Sequence, residues 1–205
     1  HVGGLWHLDF HHGSMKVVNA RGQWIKPILL AILDDHSRLA CHVQWYRSET
    51  TEDLIDGLSQ AILRRGLPRA LLSDNGSAML AEETSQGLSR LGILQHTTLP
   101  RSPYQNGKQE VFFAQVEGRL MAMLKGTPHL SLAQLNEATC AWVEMEYQRR
   151  LHAGIEQTPL QRFLQGKNIL RPAPSPETLR LAFSRQVEHR QRHSDGTVLL
   201  HKIRF

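Results

Sequence analysis

The sequence predicts an α/β fold built on a mixed sheet with helices on its faces, and three observations carry that reading. The first half opens with three apolar runs joined by short connections, the pattern of an antiparallel meander. The pattern then changes to helical and strand periods in alternation, which adds parallel strands and covering helices. The hydrophobic set makes up 40% of the 205 residues and 15 glycines accompany it, enough apolar material for a packed globular core.

The elements follow in order. Leu5 to His11 is a short apolar run interrupted by Asp9, and turn residues at Gly13 and Asn19–Gly22 flank Lys16-Val17-Val18. Pro27 to Leu33 is nearly continuous apolar, as expected of a strand covered on both faces. Asp34-Asp35-His36-Ser37 is a polar turn, and Ala40 to Tyr46 is the next strand. Leu54, Ile55, Leu58, Ala61 and Ile62 form one helical stripe that stops at Gly66-Leu67-Pro68. Ala70 to Ser73 is a short buried strand running into Asp74-Asn75-Gly76. A helix over about 81–91 and a strand over 93–97 come next. The loop 99–107, with Pro100, Pro103 and Asn106-Gly107, is irregular. A helix over 108–125 presents Phe112, Val116, Leu120, Met123 and Leu124, and Ser131 to Gln134 is a capping box opening another that runs to about Arg150. Pro172, Pro174 and Pro176 then mark a linker.

Composition narrows the function. The longest apolar run, Ile28 to Leu33, is far shorter than the ~20 residues of a bilayer-spanning helix, so no membrane span is expected. The chain opens without Met or an apolar leader, and we expect a piece of a longer protein with no targeting segment. Cys41 and Cys140 stand 99 positions apart without any Cys-x-x-Cys, so buried free thiols are expected rather than a disulfide framework or thiolate zinc site. The net charge of +5 suits a polyanionic partner. His7, His11 and His12 do not make a metal cluster, because neighbours on a strand alternate faces.

Three acids carry the chemistry. Asp9 lies among large apolar neighbours, where a carboxylate is costly unless paired or bound to a cation. Asp74 follows a buried strand at its carboxyl end, the crevice where open α/β sheets bind ligands. Glu110 lies in the first turn of a helix and shares its face with Ala114, Glu117 and Gly118, which leaves room for close approach. Singly, each has a bland explanation in a turn, a cap or the helix dipole. Together, they supply the oxygen ligands that hard divalent cations take, converging from two strands and a helix.

Four motifs in order then resemble the integrase core of DDE transposases and retroviral integrases. They are Trp6-His7-Leu8-Asp9-Phe10, Ile32 to Arg38, Leu72-Ser73-Asp74-Asn75-Gly76-Ser77, and Ser102 to Glu110, with 35 residues between Asp74 and Glu110. Glu146 to His152, with Thr158-Pro159-Leu160, is similar to the segment that closes this domain in bacterial insertion-sequence transposases. Val111 stands where that family often has Arg, and Ala78-Met79 where it often has Glu-Phe; neither touches the triad.

The resemblance implies a ribonuclease H-like, mixed five-stranded sheet flanked by helices, followed by a linker and an incomplete β segment. It implies Asp9, Asp74 and Glu110 as catalytic residues and ligands of two Mg²⁺ or Mn²⁺ ions. Their side chains are expected to converge, with Glu117 as the carboxylate to check should Glu110 be displaced. Arg101, Lys108 and Arg119 are candidate contacts to the DNA backbone. The implied activity is metal-dependent DNA strand cleavage and strand transfer in transposition, by a cytoplasmic bacterial protein that assembles as a homo-oligomer on transposon ends and target DNA. A nuclease of the same fold that only hydrolyses, and a non-catalytic DNA-binding module, are the alternatives. The expected domains are a catalytic core over 1–165, a proline-rich linker over 166–176, and the start of a truncated β-barrel-like domain over 177–205. The Asp195-Gly196 hairpin signal belongs to that last segment.

Overall fold

The computed structural model describes residues 1–98, 107–184, 197–200 and 203–204. In chain order the elements are β1 (Leu5–His12), β2 (Val17–Val18), β3 (Trp24–Ile25), β4 (Ile28–Asp34), β5 (Ala40–Tyr46), α1 (Thr51–Arg65), β6 (Ala70–Ser73), α2 (Ser77–Leu80), α3 (Glu82–Arg90) and β7 (Leu94–Thr97). They continue with α4 (Gly107–Gln115), α5 (Ala122–Leu124), α6 (Leu132–Met145), α7 (Pro159–Gln165), α8 (Pro176–Ala182), β8 (Leu199–Leu200) and β9 (Ile203–Arg204).

Five strands form one mixed sheet in the order β5-β4-β1-β6-β7. β1, β4 and β5 are the expected antiparallel meander, and β6 and β7 add in parallel beside β1. The pleat sorts side chains to two faces. On one face Trp6, Leu8, Leu30 and Ile32 pack with Leu54, Leu58 and Ile62 of α1 and Leu88 of α3. On the other, Leu29, Ala31 and Leu33 pack with Phe112 of α4, Val116, Leu120 and Trp142 of α6. β4 is buried on both faces, as its unbroken apolar run requires.

Local chemistry sets the helix limits. The Thr50 hydroxyl accepts from the Asp53 amide at the start of α1, and Gly66 ends the helix at φ 100°, a left-handed conformation that glycine takes without strain. Ser131 and Gln134 form the expected capping box on α6. Between α4 and α5, Val116–Met121 forms a π turn, so the helix from 107 to 124 is underwound at its centre. The extra residue in that turn shifts the apolar stripe: Met121 is buried, whereas Met123, assigned to the stripe from sequence, is exposed.

The C-terminal part departs from expectation. The strap after α7 is docked against the core: the Ile169 amide bonds the Val2 carbonyl, and Arg171 and Leu67 exchange backbone hydrogen bonds. The Arg171 guanidinium also donates to the Leu91 and Gly92 carbonyls at 2.9 Å each, closing the end of α3. The boundary expected between 176 and 177 falls inside α8, whose Leu179 and Ala182, with the following Phe183, are buried in the α1-side core. Proline density there coincides with a helix start, with Pro176 in the first turn after the Ser175 cap. Further on, β8 and β9 pair antiparallel, while Asp195-Gly196 lies outside the described residues. Cys41 is buried as expected; Cys140 is exposed on α6 and corrects the expectation for the second thiol.

Candidate catalytic carboxylate site

Sheet register brings the first two acids to one level. β1 and β6 run parallel with Leu5 opposite Ala70, Trp6 opposite Leu71 and His7 opposite Leu72. Two residues further along each chain, Asp9 stands level with Asp74, where adjacent strands are about 4.8 Å apart. Asp9 pairs with Ala31 of β4, a residue of the α4-side core, so its side chain belongs to the face that α4 covers. Asp74 leaves the strand in a tight turn, with its Oδ1 accepting the Gly76 amide at 2.9 Å. That bond fixes one oxygen of the carboxylate.

Glu110 is carried over β1 by α4, and contacts on either side of it fix its level. Toward the helix start, Lys108 donates to Asp35 Oδ1, which also accepts from His7 Nε2 at 2.6 Å. Gln109 is fully buried and its Nε2 donates to the Ala31 carbonyl. Toward the helix end, Phe113 stacks on the His11 ring, centroids 4.6 Å apart, and Glu117 Oε1 bonds His11 Nε2 at 3.0 Å. Glu110 thus lies between Lys108 and Phe113 on the helix, as Asp9 lies between His7 and His11 on the strand. Asp9 and Asp74 are half-buried, and Glu110 is exposed.

The elements bearing the three acids converge; the side chains themselves are not drawn into a closed cage. Among the described residues no three of His, Cys, Asp and Glu stand close enough together to hold a metal ion. The donor set nevertheless suits a hard cation: three carboxylates from three elements, one of them exposed and free to swing inward. Glu117, the alternative to Glu110, is committed elsewhere, since it also accepts from the Ser14 amide at 3.1 Å and from the Ser14 hydroxyl. Burial pushes its carboxyl up, but the Ser14 and His11 contacts outweigh that and hold it below the usual glutamate value. The same balance acts at Asp35: burial raises its carboxyl, and His7 and Lys108 pull it well below the ordinary aspartate range. An ionised Asp35 can only accept, so His7 carries its proton on Nε2.

The cations expected at DNA are differently placed. Arg101 lies outside the described residues. Lys108 is occupied by Asp35, and Arg119 pairs with Glu146 at 3.0 Å. Arg119 also borders an open cavity of about 430 Å³ with Val111, Gln115 and Arg150. Sequence reasoning missed the Asp35–His7–Lys108 and His11–Glu117 contacts. Their partners stand 28 to 106 positions apart, and the one available signal was parity, with His7 and Lys108 each two residues before a candidate ligand.

A mixed five-stranded sheet in this order, with helices packed on its faces, is the ribonuclease H-like architecture. The chain belongs to the integrase core domain family, whose sequence profile matches residues 1–103. It is similar to the transposase of transposon Tn552 from Staphylococcus aureus, at 23% identity over 209 residues, covering 94% of this chain and 44% of that protein. The chain therefore spans less than half the length of this relative. Among solved structures, it resembles the simian T-cell lymphotropic virus intasome in complex with PP2A regulatory subunit B56 gamma, with TM-score 0.68 and 21% identity, covering 85% of this chain and 58% of that one. It also resembles the HTLV-2 integrase catalytic core domain in complex with magnesium, with TM-score 0.62 and 22% identity, covering 79% of this chain and 97% of that one. At these identities the two structures show the fold. Among the described residues no helix is long and apolar enough to cross a membrane.

Proposed function

We propose that this chain is the catalytic core of a DNA transposase, a polynucleotidyl transferase that cuts a DNA strand and joins a 3′-hydroxyl end to a target. The observation that carries the reading is the β1–β6 register that puts Asp9 level with Asp74, with α4 bonded over β1 through Gln109 beside Glu110, in a chain of the integrase core family. Asp9, Asp74 and Glu110 would hold two Mg²⁺ or Mn²⁺ ions. Bound there, a divalent pair would supply Lewis-acid activation of the attacking oxygen and charge stabilisation at the leaving one. The residues' own work is to orient and to hold charge. Asp9 and Asp74 present oxygens from a rigid sheet, Gly76 fixes one rotamer of Asp74, and Glu110 completes the set from the helix. Because the carboxylates act as ligands, no covalent bond between protein and DNA is needed. Arg101 and Arg119 are assigned to the phosphate backbone, and the protein works in the bacterial cytoplasm as an oligomer assembled on transposon ends and target.

The test offers the intact protein a labelled duplex bearing a 3′-hydroxyl end together with plasmid DNA, in Mg²⁺ or Mn²⁺. Covalent transfer of label to the plasmid is expected. Strand cleavage without transfer would replace the reading with a hydrolytic nuclease. Metal-independent binding without any cleavage would leave a DNA-binding module.

A further inference from the structure

One carboxylate ties together the two segments that bear the proposed ligands. Asp35 sits on the turn after β4 and accepts from His7 Nε2 of β1 and from Lys108 Nζ of α4. His7 is two residues before Asp9, and Lys108 is two residues before Glu110. On a strand, two residues is one full repeat, so His7 and Asp9 share a face. In the first turn of a helix, fixing one residue fixes the neighbours' direction. We propose that Asp35 is a positioning residue for this site: by holding His7 and Lys108 together it sets the α4 end of the carboxylate set against the β1 end. This proposal rests on the functional reading above.

The turn is suited to the task because it is itself immobilised. The Asp35 amide donates to the Leu5 carbonyl at 2.9 Å, which pins the turn to the start of β1. Its neighbour Asp34 is fully buried, and that carboxylate accepts from the Gly3 amide at 2.7 Å, the Ser37 amide at 2.9 Å and the Ser37 hydroxyl at 2.6 Å. Asp35 is therefore a fixed acceptor rather than a solvated side chain that drifts to a cation. On the strand side, His7 is nearly fully buried and its Nδ1 has no hydrogen-bond partner, so Asp35 is what orients the ring. An exposed ion pair alone contributes little to stability. Here the contact's consequence is geometric. Partners that hold ligand-bearing segments change metal affinity or activity by about 10–100-fold when removed, with little effect on the fold. Lys108 was expected at the DNA backbone; its engagement by Asp35 assigns it to the helix instead.

The experiment compares wild type, Asp35→Asn, Lys108→Met and Lys108→Arg as intact proteins. Asn keeps an acceptor for the buried His7 while losing the charge, and Lys108→Met spares His7 altogether. Three readings are taken: Mn²⁺ binding without DNA by the electron-spin signal of the free ion, the Mn²⁺ and DNA concentrations at half-maximal strand cleavage, and the melting temperature without metal. Both Asp35→Asn and Lys108→Met are expected to weaken Mn²⁺ binding about tenfold and to raise the metal requirement of cleavage equally, at unchanged DNA half-saturation. Lys108→Arg should restore most of the loss. The double variant should be no worse than the more affected single one, because both break one contact. Unchanged Mn²⁺ binding in Lys108→Met would overturn the proposal, whatever Asp35→Asn does to folding. So would a rise in DNA half-saturation without any change in metal requirement, which would return Lys108 to the phosphates. If wild type neither binds Mn²⁺ nor cleaves, the functional reading fails first and takes this one with it.

Discussion

Asp74 is aimed by a hydrogen bond from the Gly76 amide, and this makes it the most informative residue to change. Asp74→Asn keeps an oxygen to accept from that amide but removes the charge a cation needs. Loss of a ligand from a two-metal site removes several kcal/mol of transition-state stabilisation, so strand cleavage should fall by about a thousandfold. Without metal the melting temperature should hold or rise, since a negative charge level with Asp9 on the neighbouring strand is relieved. Cleavage within tenfold of wild type would place the chemistry elsewhere. Away from the site, His42 on β5 offers a prediction in pH. Its Nε2 lies 3.3 Å from the Tyr46 hydroxyl, which itself donates to Asp56, so neutral His42 is the donor to Tyr46. Burial is the main reason its pKa drops from 6.5 to about 4; Asp56 opposes that, and Arg64 adds to it. Between those values the unfolded chain binds a proton that the folded one refuses, so stability falls as pH drops from about 6.5 to about 4. The stability lost by pH 4 is about 3 kcal/mol. In urea titrations followed by Trp fluorescence, His42→Gln should lack this part of the acid loss, and its difference from wild type should shift by about that amount between pH 7 and pH 4. Parallel pH profiles for the two proteins would refute the assignment.

Elements whose cause is local were legible in the sequence. The α1 stripe, the Ser131 capping box and the doubly covered β4 were all read from period, cap or unbroken apolar run, and each stands where expected. Asp9, Asp74 and Glu110 were legible as candidates through their order and spacing, but the shared level of Asp9 and Asp74 came only from register. What escaped has a non-local cause. The π turn at 116–121 leaves no composition signal, and α8 looked detached because its partner surface is α3, some ninety residues earlier. That packing depends on Gly87, where a Cβ would lie 2.1 Å from Phe183 Cδ1. Gly87→Ala sets two effects against each other. Helix propensity favours Ala by up to about 1 kcal/mol, while forcing an atom against a buried ring costs about 1–3 kcal/mol. The clash should win, because the ring's near edge rather than a flexible tip is in the way. Net loss of stability in denaturant unfolding is expected, with Phe183→Leu recovering part of it in the double variant. A stabilised Gly87→Ala protein would show that α8 is not held on α3 in solution.

Across the whole molecule, charge and chemistry occupy different parts of the chain. The net charge is +5, and residues 185–205 alone hold Arg185, Arg190, Arg192, Lys202 and Arg204 against Glu188 and Asp195. More than half of the excess positive charge thus follows the core, whereas the acids proposed for catalysis all lie within it. Among the described residues of the core, four cations are paired with carboxylates: Lys108 with Asp35, Arg119 and Arg150 with Glu146, and Arg64 with Glu144. A paired cation must give up its partner to meet a phosphate, so it adds less to binding than one without a carboxylate beside it. DNA affinity and strand chemistry should therefore separate on substitution. Each phosphate neutralised contributes about 0.9 to the slope of log affinity against log salt. Replacing Arg185, Arg190 and Arg192 together by Gln should lower that slope by about 2 to 3 and weaken binding to any duplex at low salt, by the same factor for unrelated sequences. Mn²⁺ binding without DNA should not change. The measurement is fluorescence anisotropy of labelled duplexes of two sequences from 50 to 200 mM salt, beside Mn²⁺ titration of the same preparations. An unchanged slope would place the DNA surface on the core itself, and a changed Mn²⁺ affinity would mean that charge and chemistry are coupled after all.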